Sequence, residues 1–141
     1  ASHPTNDRVS ALNTANTAAI TYISGLVDAT NLNGASRLEI DVGRNLVFCL
    51  GTDLLSVIDY STISSMTIED TVTNTAFGTG TLRSLAVDTA RELIFVVCRS
   101  ETTNVYVYDY SDPTNLTLAD TILGTTTTTN GGQVVLSSPA P

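Results

Sequence analysis

An internal repeat constrains this chain more than anything else in it, because duplicated units fold alike and then have to stack on one another. Leu38-Glu39-Ile40-Asp41-Val42-Gly43-Arg44-Asn45-Leu46-Val47-Phe48 returns as Leu85-Ala86-Val87-Asp88-Thr89-Ala90-Arg91-Glu92-Leu93-Ile94-Phe95. Leu, Asp, Arg, Leu and Phe keep register at an offset of 47. Val57-Ile58-Asp59-Tyr60-Ser61 returns as Val107-Tyr108-Asp109-Tyr110-Ser111, at an offset of 50. Thr67-Ile68-Glu69-Asp70-Thr71-Val72 returns as Thr117-Leu118-Ala119-Asp120-Thr121-Ile122, also at 50. The extra residues enter where Arg99-Ser100-Glu101-Thr102-Thr103 lengthens a loop. One loop insertion in a constant register is how a duplicated unit diverges.

Each unit holds four short runs rich in Val, Ile, Leu, Tyr and Phe between turn residues, which predicts strands. In the first unit they cover Ser36–Asp41, Asn45–Leu50, Leu54–Tyr60 and Met66–Val72. In the second they cover Leu82–Asp88, Glu92–Cys98, Asn104–Tyr110 and Leu116–Ile122. Val42-Gly43-Arg44 and Thr89-Ala90-Arg91 are hairpin-sized connections, so neighbouring strands run antiparallel. Runs such as Leu93–Cys98 are apolar on both faces, as a sheet covered on both sides requires. No convincing helix appears.

The ends extend the pattern. Gly25–Thr30 reads as a fourth strand with Asp28 where Asp70 and Asp120 stand, Ala18–Ile23 as a third strand, and Arg8–Asn13 as a second. Gly131-Gly132-Gln133-Val134-Val135-Leu136 reads as the first strand of a further unit. With strands lettered a to d from the inside outward, the order is b-c-d, a-b-c-d, a-b-c-d, a. This is an all-β chain with material for about three four-stranded antiparallel blades, the signature of a β-propeller. Residues 1–141 form one domain in this reading, with a polar tail over 1–7 and a Thr/Gly-rich connector over 124–132.

Asn104-Val105-Tyr106-Val107-Tyr108-Asp109-Tyr110-Ser111-Asp112-Pro113-Thr114-Asn115-Leu116 resembles the repeat built around an LVIVDVSDPTNP consensus. Leu55–Ser61 is a degraded copy without the Asp-Pro, and the Asp41 and Asp88 blocks resemble strands of YVTN-type and NHL-like repeats. The resemblance covers positions 36–123. It implies blade architecture and an extracellular binding or surface role, and it carries no catalytic residue onto this chain.

Composition removes whole classes of function. The chain has 141 residues, fourteen Asp and Glu against six Arg, no Lys, and a net charge of −8. A basic footprint for nucleic acid is missing, and an anionic membrane surface would repel the chain. No apolar run approaches a membrane span. A Thr-rich, acidic, Lys-free surface suits a secreted, cell-surface or virion protein. The first residues, Ala1-Ser2-His3-Pro4, carry no leader of their own and are compatible with removal of a signal, a propeptide or Met.

Few residues offer chemistry. The single His, His3, lies in the tail ahead of the first strand, so no Ser-His-Asp arrangement is available. No zinc spacing exists, and Gly78-Thr79-Gly80 falls short of a phosphate loop. Asp41/Arg44 and Asp88/Arg91 read as turn-building pairs, Asp accepting turn amides and Arg pairing with it across the hairpin. A ring of channel carboxylates is the functional alternative. Asp109, Asp112 and Asn115 are a weak Ca²⁺ candidate, since oxygen ligands cluster there without the order of a calcium loop. Asp112-Pro113-Thr114-Asn115 is otherwise a turn, and Asn115-Leu116-Thr117 is a glycosylation sequon. Tyr106, Tyr108 and Tyr110 share one strand face and could stack on sugars, but packing between blades outweighs that reading. Cys49 and Cys98 fall on equivalent faces of successive blades. Blades pack about 10 Å apart and bridged Cα atoms lie within about 7 Å, so two free, buried thiols are expected.

The leading expectation is a non-catalytic surface or virion module without cofactor, a rigid platform that displays loops. The alternatives are a propeller hydrolase or lyase with channel carboxylates, and a glycan-binding lectin. Three blades cannot close a ring. The expected partner is therefore a second copy giving six blades by strand exchange, other surface proteins, or further chain if this is a fragment of a larger protein.

Overall fold

The computed structural model describes residues 7–13, 15, 21–73, 77, 81–99 and 105–122. The described residues form ten strands and no helix. They are β1 (Arg8–Asn13), β2 (Thr21–Val27), β3 (Arg37–Asp41), β4 (Leu46–Leu50), β5 (Leu54–Asp59), β6 (Thr67–Thr73), β7 (Thr81–Asp88), β8 (Leu93–Arg99), β9 (Val105–Asp109) and β10 (Thr117–Ile122). Strands β3 to β10 match the expected positions within a residue or so.

Three antiparallel sheets result: β1-β2, β3-β4-β5-β6, and β7-β8-β9-β10. In both four-stranded sheets the first hairpin turn ends on a residue of positive φ, Asn45 at 56° and Glu92 at 58°. Asn tolerates that left-handed backbone, whereas Glu adopts it at a cost of about 1 kcal/mol. A β-bulge recurs on the fourth strand, between the partners of Val57 and Ile58 in one sheet and at Leu118/Asp120 in the next.

The sheets stack through two apolar layers. Leu46, Phe48, Leu50, Leu55 and Val57 of the second sheet meet Leu85, Ile94, Val96, Cys98 and the tyrosines of the third. Val47, Cys49 and Ile58, on the opposite face of the second sheet, meet Val9 and Leu26 of the first. The β4 run is therefore buried on both faces, as its sequence requires. Each layer is plugged by a fully buried side chain from the segment joining successive sheets, Leu32 in one and Phe77 in the other.

The first sheet corrects the expected strand order. Its bulge skips Ile23 between the pairs Ala11↔Ser24 and Leu12↔Tyr22, as the second sheet skips Glu69 between Val57↔Asp70 and Ile58↔Ile68. The Asn13 side chain accepts the Ala15 amide at 2.9 Å, as Asp59 accepts Ser61 and Asp109 accepts Ser111. Strands β1 and β2 are thus third and fourth strands, so Arg8–Asn13 is not a second strand, and Thr21–Val27 replaces the two runs expected over 18–30. Among the described residues, two strands stand where three were expected. Asp28 lies beyond β2 in a turn, its carboxylate accepting the amides of Thr30 and Asn31 at 2.9 Å each. Ser24 occupies the place of Asp70. Asp7, assigned to the tail, is buried, its carboxylate accepting the amide of Gly34. Gly34 sits at φ +66°, a backbone that favours glycine. His3, Gly78–Gly80, the connector over 124–132 and the strand over 131–136 lie outside the described residues.

Candidate functional site

Asp41, Arg44, Glu92 and Tyr110 come together between the second and third sheets. Asp41 ends β3, and its Oδ1 accepts the Arg44 amide at 3.2 Å, which builds the turn as expected. Its Oδ2 accepts the Tyr110 hydroxyl at 2.8 Å from across the interface. Arg44 departs from the expected pairing across its own hairpin. Its guanidinium donates to the Glu92 carboxylate and to the carbonyl oxygens of Tyr110 and Ser111, each at 2.9 Å. It also lies 5.5 Å from the Tyr110 ring centroid, and Phe48 meets that ring edge-on at 4.7 Å. One Arg therefore binds two sheets because a planar, five-donor group can satisfy three acceptors at once. The second copy, Asp88/Arg91, keeps the simpler form, with Arg91 donating to Asp88 at 3.3 Å.

Tyr110 is fully buried, and burial followed by its hydrogen bond to Asp41 raises its phenol above the ordinary value. Burial likewise pushes Tyr108 up to about 12. Tyr106 and Tyr108 stand edge-on to Phe77 at 5.3 and 5.7 Å. All three tyrosines fill the layer between sheets and present no open ring face to a sugar. Ile58 and Tyr60, at the corresponding places in β5 and just after it, pack in the other layer.

Asp109 and Asp112 each accept hydrogen bonds within their own turns. The Asp109 carboxylate accepts the Ser111 amide at 2.7 Å, which holds its pKa below the usual carboxylate value. Asp112 accepts the Thr114 hydroxyl and amide, with the same effect. The Asn115 amide donates to the Asp112 carbonyl, which closes the turn. Among the described residues no group of three or more His, Cys, Asp or Glu is placed to hold a metal ion. Asp70 reaches the next sheet, accepting the Leu116 amide at 2.7 Å, and Ser24 likewise donates from the first sheet to the Ile63 carbonyl. Cys49 and Cys98 are free and buried in different layers, and burial pushes Cys49 up to about 11. No described helix is long and apolar enough to cross a membrane.

An open apolar groove of about 260 Å³ lies beside β1, lined by Val9, Leu12, Leu38, Ile40, Val42 and Met66 among others. Nothing in the linear pattern marks it.

No protein-family model matches the chain, and no curated protein matches it. The resemblance to LVIVD-type and YVTN-type repeats therefore rests on the quoted residues alone. The structure is similar to the crystal structure of a protein from Lactobacillus plantarum, with a TM-score of 0.68 and 18% identity. The match covers 82% of this chain and 35% of that one, so this chain spans about a third of that protein's length. The likeness bears on fold alone.

Proposed function

We propose that the chain is part of a β-propeller and serves as a non-catalytic binding or structural platform on a secreted, cell or virion surface. The observation that carries this reading is the use of the repeated polar groups. Asp41, Arg44, Asp70, Asp109 and Asp112 are spent on their own turns or on the neighbouring sheet, so they build a stack and do not converge on a substrate. The repeated four-stranded order and the adjoining β3 and β7 support the blade reading. The acidic, Lys-free composition supports the surface assignment. Two copies would close six blades. The test is a screen of the purified chain against hydrolase and lyase substrates and a glycan array. No turnover and no glycan binding by a folded sample are expected. Turnover, or saturable glycan binding, would replace the platform with an enzyme or a lectin.

A further inference from the structure

We infer that Asn115 is an acceptor for an N-linked glycan. This site deepens the secreted-surface reading above and rests on it. Asn115-Leu116-Thr117 is the one place in the chain where Asn is followed two residues on by Ser or Thr, with a residue other than Pro between them. A folded protein can use such a motif only where its asparagine carries a bulky, hydrated sugar without disturbing the fold. The turn between β9 and β10 meets that condition.

The second unit shows the same turn without the motif. Between β5 and β6 it reads Ser65-Met66-Thr67, at the repeat offset of 50. Both turns close alike. The Ser65 amide donates to the Thr62 carbonyl at 2.8 Å, and the Asn115 amide donates to the Asp112 carbonyl at 3.1 Å. That bond uses backbone alone, so the turn does not require the Asn115 side chain. The hydroxyls differ as well. Thr67 donates to the Glu69 carboxylate at 2.8 Å, whereas Ala119 stands at the matching place beside Thr117. Among the described residues, neither the Asn115 side chain nor the Thr117 hydroxyl is hydrogen-bonded, and both residues are exposed.

The backbone around them is fixed from the second sheet. Arg44 donates to the Tyr110 and Ser111 carbonyls at 2.9 Å each, and Asp70 accepts the Leu116 amide at 2.7 Å. Leu116, between the two motif residues, is buried in the layer that joins the sheets. The middle residue thus anchors the turn while the acceptor faces water. A glycan on Asn115 extends into solvent and displaces none of these contacts. The transfer needs one class of co-reactant, an oligosaccharide joined through its anomeric carbon to a polyprenyl pyrophosphate. Asn115 Nδ2 forms the new C–N bond at that carbon and gives up a proton to the transferase. The C–O bond to the pyrophosphate breaks, and the lipid pyrophosphate leaves with the bonding pair.

The test expresses the full 141-residue chain behind a cleavable signal in insect cells, and reads intact mass and peptide maps from cells and medium. The expected result is a mass gain equal to whole hexose and N-acetylhexosamine residues, located on the peptide that holds Asn115 and removed by peptide-N-glycosidase. Asn115→Gln and Thr117→Ala should each abolish the gain, and Thr117→Ser, which keeps the hydroxyl, should retain it. Circular dichroism melts before and after glycosidase treatment should agree within about 3 °C, as for a change at an exposed site. An unmodified chain, sugar that persists in Asn115→Gln, or a glycosylated chain that melts further below the treated one would overturn the inference. A folded, secreted chain without sugar removes this site and leaves the platform reading in place. Turnover of a substrate removes the platform reading and leaves these outcomes unaffected.

Discussion

Replacing Tyr110 by Phe removes one oxygen from the interface between the second and third sheets and leaves the ring in place. The Asp41 carboxylate then loses the hydroxyl it accepts at 2.8 Å, in a site where both partners are buried. A hydrogen bond to a charged group contributes about 1.5–3 kcal/mol, and an acceptor left buried without its partner bears most of that cost. The Arg44 contacts survive, because they use the Tyr110 and Ser111 carbonyls and the Glu92 carboxylate. The expected loss is thus about 2 kcal/mol, a sizeable part of the roughly 5–15 kcal/mol that holds a domain folded. The melting temperature should fall by roughly 4–12 °C. Urea unfolding followed by far-ultraviolet circular dichroism reads it directly, since the chain has no Trp. Asp41→Asn alone and with Tyr110→Phe completes a cycle whose coupling should exceed about 1 kcal/mol. A single-variant loss below about 0.5 kcal/mol, or additive effects, would refute the claim that this bond ties the sheets together.

Phe77→Ala should cost about 3–5 kcal/mol, because the ring is fully buried between Tyr106 and Tyr108; a chemical melt within about 1 kcal/mol of the parent would contradict the plug. Burial raises the Cys49 thiol from 9.0 to about 11, so folding favours its protonated form. That stability is complete below pH 9 and is lost as pH climbs towards 11. Cys49→Val, matching Val96 in the next sheet, should lose stability less steeply across that window, and equal slopes would count against it. Millimolar Ca²⁺ or its removal by a chelator should leave the melting temperature within about a degree, since Asp109 and Asp112 are committed to their own turns; a shift of several degrees in a thermal melt would restore the cation site.

The repeat alone determined the strands of the two complete units, their antiparallel order and the burial of both thiols. These follow from local rules: alternation along a strand, short hairpins, and the identity of residues at a fixed offset. The first sheet was not legible, because Val9-Ser10-Ala11-Leu12-Asn13 shares only a pattern with Leu55–Asp59, and a bulge at Ile23 takes up a residue that no spacing rule reveals. Asp28 was consequently misplaced. Arg44 shows the same boundary more sharply. The sequence places it beside Asp41 as it places Arg91 beside Asp88, yet one guanidinium crosses to Glu92 and Tyr110 and the other folds back. Sequence determines which groups a strand end offers, whereas the stacking of sheets decides which acceptors stand within reach. Only tertiary structure could separate the two arginines, and only it could expose Leu38 while burying Leu85, because exposure depends on the neighbour a strand meets and not on the strand itself.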